Sequence, residues 1–209
     1  NSAIGQGYVL ASPLQLAVMA ARIASGRAVE PRLVLAIDGK AVPVAEAAPL
    51  DIAPEHLDAV RQGMNAVVNG PQGTATSSRI VEPTMVMAGK TGTSQVRNIS
   101  AEERETGVVA NEDLPWNRRD HALFVGFAPI DAPRYAVAVV VEHGGGGSLA
   151  AAPIARDVIL RAMSPGLPPL EAYPESQRGR IETMLKELPL RDPVTGAPLR
   201  RPQPTTASR

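Results

Sequence analysis

One stretch of the chain carries residue types that packing alone does not ask for: Ala88-Gly89-Lys90-Thr91-Gly92-Thr93-Ser94. It belongs to an extended segment over about 85–96, and its lysine and threonines are framed by glycines. Glycine weakens a strand and often marks close approach of a ligand or a second backbone. Side chains alternate along an extended chain, so Thr91 and Thr93 share one face and Lys90 and Gly92 the other. The plainer reading is a solvated edge strand with an incidental lysine, and local composition alone does not decide between the two.

Other chemistries fit less well. Gly89-Lys90-Thr91 matches the tail of a phosphate-binding loop, but that motif needs a glycine where Thr84 stands, and the residues before Gly89 are apolar. Gly145, Gly147 and Ala150 match a dinucleotide-binding spacing. That fold requires a parallel strand after the following helix, and Ser164-Pro165-Gly166-Leu167-Pro168-Pro169 stands there instead. The triplet reads as a flexible strand-to-helix turn. His56, His121 and His143 are far apart, with no metal-ligand spacing, so no metal and no cofactor is expected. Trp116, beside Arg118 and Arg119, reads as an anchor for its loop.

Composition bounds the rest. The chain has 209 residues, 44 % of them hydrophobic, which permits a real core. Lys+Arg and Asp+Glu balance at 21 each and aromatics are 3 %, leaving neither a basic surface nor a stacking platform for nucleic acid. Without cysteine there are no disulfides or thiolate sites. Residues 1–21 carry no charge, but Gly5, Gln6, Gly7, Ser12, Pro13 and Gln15 interrupt them, against a membrane span.

The elements that would position the lysine strand follow from periodicity. Ser12-Pro13 opens a helix that is apolar nearly all round, read as interior, and Gly26 ends it. Residues 32–37 read as a strand before an Asp38-Gly39 turn. Leu57, Val60, Met64, Val67 and Val68 mark a helix over Pro54–Val68. Residues 70–79 read as a loop. Residues 122–128 and 135–142 are apolar at both alternating sets, so both read as central strands covered on two faces. The short Pro129–Pro133 link makes them an antiparallel hairpin, and the polar residues 97–120 a surface loop before it. A helix over about 150–163 carries the stripe Ile154, Val158, Ile159. Nine of the 20 prolines lie in the last 46 residues. There a short helix over about Glu175–Leu188 and a disordered end from Pro193 are expected. The class is α+β, an antiparallel sheet flanked by helices, with a domain over 1–163 and a proline-rich extension over 164–209.

Lys90-Thr91-Gly92-Thr93 on a strand, followed by two apolar strands and a helix, resembles the third motif of the serine penicillin-binding proteins and β-lactamases. The likeness extends to Ser2-Ala-Ile-Gly5-Gln-Gly7-Tyr8, Ser12-Pro13-Leu14-Gln15-Leu16-Ala17, Val60-Arg61-Gln-Gly63-Met64, His121-Ala-Leu-Phe-Val-Gly-Phe-Ala-Pro129 and Val139-Val-Val-Glu-His-Gly144. Over residues 1–163 the chain is similar to the class B enzymes, and most to the penicillin-binding protein 2 family of elongation-specific D,D-transpeptidases.

The resemblance implies a β-lactamase/transpeptidase-like fold and serine-type acyl transfer on peptidoglycan stem peptides during cell-wall elongation, with β-lactam antibiotics reacting in their place. It implies a site at the periplasmic face of the bacterial inner membrane, the anchor lying outside this chain, beside a membrane glycan polymerase and an elongation complex. Lys90 would set a positive charge near the substrate carboxylate and favour proton movement among serines. Thr91 would shape the strand, and Gly92 would admit the substrate backbone. Thr93 would bind the carboxylate and supply one oxyanion N–H. Ser94 and Gln95 would make further substrate contacts. The family's S-x-x-K and S-x-N motifs are absent: Ile37, Met87 and Thr183 stand three residues before the lysines, and no serine has asparagine two places on. The chain thus reads as the C-terminal part of a transpeptidase domain, with the nucleophile upstream and the fragment alone inactive. A non-catalytic binding or assembly module of the cell-wall machinery is the other reading.

Overall fold

The computed structural model describes residues 10–189, 191 and 195–198. Those up to Pro174 form one compact unit and those from Glu175 a second. In the first, Ser12 opens helix α1 (Pro13–Ser25) through a reciprocal cap: its Oγ accepts the Gln15 N–H, and the Gln15 side chain accepts the Ser12 N–H. Gly26, at φ +69°, closes the helix. The interior position expected for α1 holds on one side only. Ala20 and Ala24 are buried, while Leu14 and Met19 are 58 % and 42 % exposed. The small residues take the sheet contact and the bulky ones point away. With Pro31, Leu50, Ile52 and Leu57 those bulky residues line an apolar groove of about 550 Å³.

The Asp38-Gly39 turn joins β1 (Ala36–Ile37) to β2 (Lys40–Ala41). The strand expected over 32–37 is reduced to its last two residues, because Leu33, Val34 and Leu35 are exposed and find no sheet to pack on. Helix α2 (Pro54–Asn69) buries Leu57, Met64 and Val68. Val60, on the same periodic set, is exposed. At the end of α2, the Asn69 amide donates to the Met87 carbonyl at 2.9 Å, tying the helix to the strand that follows.

That strand is β3 (Ala88–Ser94). After it come α3 (Ala101–Thr106), β4 (His121–Ala128), β5 (Tyr135–Val141) and α4 (Ala151–Met163). The sheet is antiparallel in the order β3-β4-β5, with Lys90 opposite Val125 and Gly126 opposite Val137. Ala88 and Phe127 join Ala24 of α1 and Met64 of α2 in one core cluster, so α1 and α2 cover that face. Alternation turns Ala122 and Phe124, both fully buried, to the opposite face, which α4 covers. Among the described residues β5 lies at an edge of this sheet rather than at the central position expected. Helices α1 and α4 both pack on it and supply the cover that its apolar residues implied.

The apolar stripe of α4 is also shifted from expectation. Ala152, Ala155, Arg156, Ile159 and Leu160 are buried, a set at helical spacing, whereas Ile154 and Val158 are exposed. Arg156 lies over the Tyr173 ring at 4.8 Å and its Nε donates to Asp157 at 2.8 Å, which compensates its burial. Residues 97–120 are more ordered than a plain surface loop. Ser100 and Glu103 cap α3 reciprocally, Arg97 pairs with Glu103 at 2.8 Å, and Leu114 is buried. The Arg97 hydrogen bond, seconded by the Ser100 N–H, pulls the Glu103 carboxyl down to about 2. In the second unit, α5 (Glu175–Glu187) matches the expected helix. Of the end expected from Pro193, residues 193–194 and 199–209 lie outside the described residues. Among the described residues no helix is long and apolar enough to cross a membrane.

Candidate active site

β3 forms one edge of its sheet: β4 pairs with it on one side, and no described strand pairs with the other. An edge strand presents unpaired N–H and C=O groups to whatever extended chain lies beside it. The register places Lys90, Gly92 and Ser94 on the face of Leu123, Val125 and Phe127, the α1–α2 face. Leu123 and Val125 there are only half-buried, so this side of the sheet is incompletely covered. Thr91 and Thr93 lie on the other face, as the alternation requires.

The Lys90 side chain is exposed and enters no salt bridge among the described residues; its Nζ donates to the Thr91 carbonyl at 2.7 Å. It is an exposed positive charge without a carboxylate partner among the described residues. The Thr91 and Thr74 hydroxyls are hydrogen-bonded at 2.8 Å. This joins the motif to the loop after α2, a contact that nothing in the aperiodic residues 70–79 announces. Thr93 and Ser94 are exposed, and Gln95 just beyond β3 is exposed as well. Gln95 lines a small cleft with Arg97, Asn111, Leu114 and Asp120. The candidate residues are thus brought onto one strand edge and its continuation. Among the described residues no cluster of His, Asp or Glu could hold a metal ion.

Glycines fit this strand tightly against its surroundings. A Cβ on Gly89 would overlap the buried Phe124 ring and come within 2.6 Å of the Val125 carbonyl. His121 and His143, distant in sequence, meet at the end of the sheet where His121 stands opposite Ser94. The His143 N–H donates to His121 Nδ1 at 2.9 Å, and the His143 ring donates from Nδ1 to the Arg119 carbonyl at 2.8 Å. Trp116, 61 % exposed, meets the His143 ring edge-on at 4.4 Å and so anchors its loop.

An antiparallel sheet with helices on both faces and a Lys-Thr-Gly-Thr edge strand defines the transpeptidase/β-lactamase-like class. The family model for the penicillin binding protein transpeptidase domain matches residues 1–160. The peptidoglycan D,D-transpeptidase MrdA of Haemophilus influenzae is 35 % identical over 81 % of this chain and 26 % of its own length. MrdA of Salmonella typhimurium is 36 % identical over 78 % of this chain and 26 % of its own. Pseudomonas aeruginosa PBP2 in complex with WCK 5153 superposes with a TM-score of 0.59 at 36 % identity, over 79 % of this chain and 33 % of that one. The imipenem acyl-enzyme of Mycobacterium tuberculosis penicillin-binding protein A gives 0.58 at 29 % identity, over 78 % and 33 %. The chain belongs to the PBP2 (MrdA) family of penicillin-binding protein transpeptidase domains. It spans about a quarter of the length of the curated relatives it matches.

Proposed function

We propose that this chain supplies one wall of the active site of a serine-type peptidoglycan D,D-transpeptidase, and that the enzyme containing it cross-links stem peptides during cell-wall elongation. The observation that carries the reading is Lys90-Thr91-Gly92-Thr93 on the open edge of β3, with an exposed lysine that has no carboxylate partner among the described residues. A stem peptide lying along that edge adds to the sheet through backbone hydrogen bonds. Lys90 meets its terminal carboxylate and favours proton transfer to and from the attacking serine. The Thr93 hydroxyl holds the carboxylate, and its N–H is one oxyanion donor. Gly92 leaves room for the substrate backbone, while Ser94 and Gln95 contact the substrate further along.

The nucleophile comes from an S-x-x-K serine outside these residues, since no such motif occurs among them. That serine attacks the penultimate carbonyl, D-alanine leaves, and an amine of a neighbouring stem peptide resolves the acyl-enzyme. β-Lactams enter the same step; a mycobacterial relative is solved as penicillin G and imipenem acyl-enzymes. The Helicobacter pylori PBP2 is solved in complex with MreC. We extend a partner of that kind to the enzyme containing this chain, and place that enzyme beside a membrane glycan polymerase and an elongation complex at the periplasmic face of the inner membrane.

The test is Lys90→Ala in the intact enzyme, read by fluorescent-penicillin labelling. Removing a group that assists proton transfer is expected to slow acylation ~10²-fold or more. The side chain is exposed, so the melting temperature stays near that of the parent. Labelling at the parental rate would refute the assignment.

A further inference from the structure

The glycine-rich turn between β5 and α4 is not the flexible link that its composition suggests. Gly147 is buried, and a Cβ built on it would overlap the Leu123 carbonyl oxygen and lie 2.5 Å from the Gly92 oxygen and 3.0 Å from the Gly92 nitrogen. The backbone of Gly147 therefore rests directly on the backbone of the Lys-Thr-Gly strand, at its second glycine. A Cβ on Gly92 itself would meet only Leu123 Cβ, at 3.3 Å. Gly147 thus approaches from the face opposite to the one Lys90 shares with Gly92, between Thr91 and Thr93.

The turn is held at both ends. On one side the Gly147 carbonyl accepts the N–H groups of Ala151 and Ala152, the first residues of α4, and both are fully buried. On the other side His143, at φ +54°, is fixed by its bonds to His121 and Arg119, and the Gly145 N–H donates to the Asp120 carbonyl at 2.9 Å. A helix seated on the sheet and a tethered insertion leave Gly147 no room to retreat. Gly146, by contrast, faces open space, its nearest neighbour being Ser148 Oγ at 4.0 Å.

We propose that Gly147 is a positioning residue for the acyl-transfer site: its backbone braces β3 at Gly92, fixing where the Thr93 N–H and hydroxyl sit relative to substrate. This rests on the reading of β3 as the wall of a transpeptidase site. Gly147 touches no substrate; it acts through the strand it supports. The obstacle at Gly147 is one of space alone, because its backbone does not take a positive φ.

The experiment compares Gly147→Ala, Gly146→Ala, His143→Ala and Lys90→Ala in the intact enzyme. Stopped-flow acylation by a fluorescent penicillin separates initial affinity from the acylation rate constant, and melting temperature is measured alongside. Gly147→Ala is expected to lower the acylation rate constant of the folded enzyme by ~10²-fold, the loss typical of a displacement near 1 Å at a reacting centre. Initial affinity should change far less, and Gly146→Ala should match the parent. His143→Ala adds no atom and removes the ring's bond to the Arg119 carbonyl and its contact with Trp116, loosening one end of the tether while the backbone N–H bonds of residues 143 and 145 stay, so it slows the same step by a smaller factor. If Gly147→Ala lowers only the melting temperature and acylates at the parental rate, the glycine is structural and the proposal falls. If Gly147→Ala does not fold, His143→Ala decides: slowed acylation supports bracing and parental acylation overturns it. Loss of labelling in Lys90→Ala with none in Gly147→Ala sinks the brace alone, whereas parental labelling in both removes the transpeptidase reading beneath it.

Discussion

Replacing Gly89 by alanine inserts one methyl group beside Lys90, at a point where the sheet has no room for it. The new Cβ would lie 2.6 Å from the Val125 carbonyl oxygen and 2.7 Å from Phe124 Cε1, and would overlap Phe124 Cζ. Carbon atoms rest at about 3.5–4.0 Å, so the ring must move by roughly 1 Å. Phe124 is fully buried, and its ring also lies against Gly126. Overpacking of this kind destabilises by about 1–3 kcal/mol. In a domain of this size each kcal/mol lowers the melting temperature by about 2–4 °C, so Gly89→Ala should melt roughly 2–12 °C below the parent. Phe124→Ala opens the space the ring filled and costs about 3–5 kcal/mol on its own. In the double variant the alanine methyl sits where the ring was, so the two losses should fall short of additivity by about 0.5–3 kcal/mol. Rescue stays partial, because the Val125 oxygen is backbone and remains. Urea denaturation of the intact enzyme and its three variants measures the cycle. Additive losses, or an unchanged midpoint in Gly89→Ala, would show that the ring and the glycine are not in conflict and that β3 is looser than described.

Two further outcomes follow from other parts of the molecule. The Glu103 carboxyl is held below the ordinary carboxylate range, to about 2, by Arg97 and then by the Ser100 N–H. A depressed folded value means the stabilisation is present above the unfolded value near 4.5 and drains away as pH falls towards 2, so Glu103→Gln should flatten that acid limb in amide exchange of residues 100–106. The 209-residue chain made alone, lacking S-x-x-K, should take up no β-lactam; intact-mass spectrometry showing a stoichiometric adduct on one of its serines would place the nucleophile here instead.

Elements with a strong local signature were legible in the sequence. Ser12-Pro13 and Gly26 bracket α1, the apolar runs become β4 and β5, and Lys90-Thr91-Gly92-Thr93 lies on β3. What escaped depends on which neighbour covers a residue. Apolar residues on both faces of β5 record its cover by two helices, α1 and α4, and do not fix its place in the sheet order, which among the described residues is an edge. Ile154 and Val158 are as apolar as Ile159, yet only Ile159 faces inward. The Thr74–Thr91 bond, the His121–His143 pair and the seat of Gly147 on Gly92 join residues 17, 22 and 55 positions apart, and carry no periodicity to reveal them.

Between β3 and β4 the chain travels through residues 95–120, whereas β4 and β5 are joined by residues 129–134 alone. The entropy of closing a loop grows only logarithmically with its length. The longer link, about two doublings of the shorter, therefore costs only about 1.2 kcal/mol more. The Arg97–Glu103 pair and the Asn111–Asp120 bonds close smaller loops within it. Length in this segment is thus nearly free thermodynamically. Evolution can lengthen, shorten or rewrite the rim beside Gln95 while the lysine strand and its register stay unchanged, so divergence among relatives should accumulate in this rim before it reaches β3.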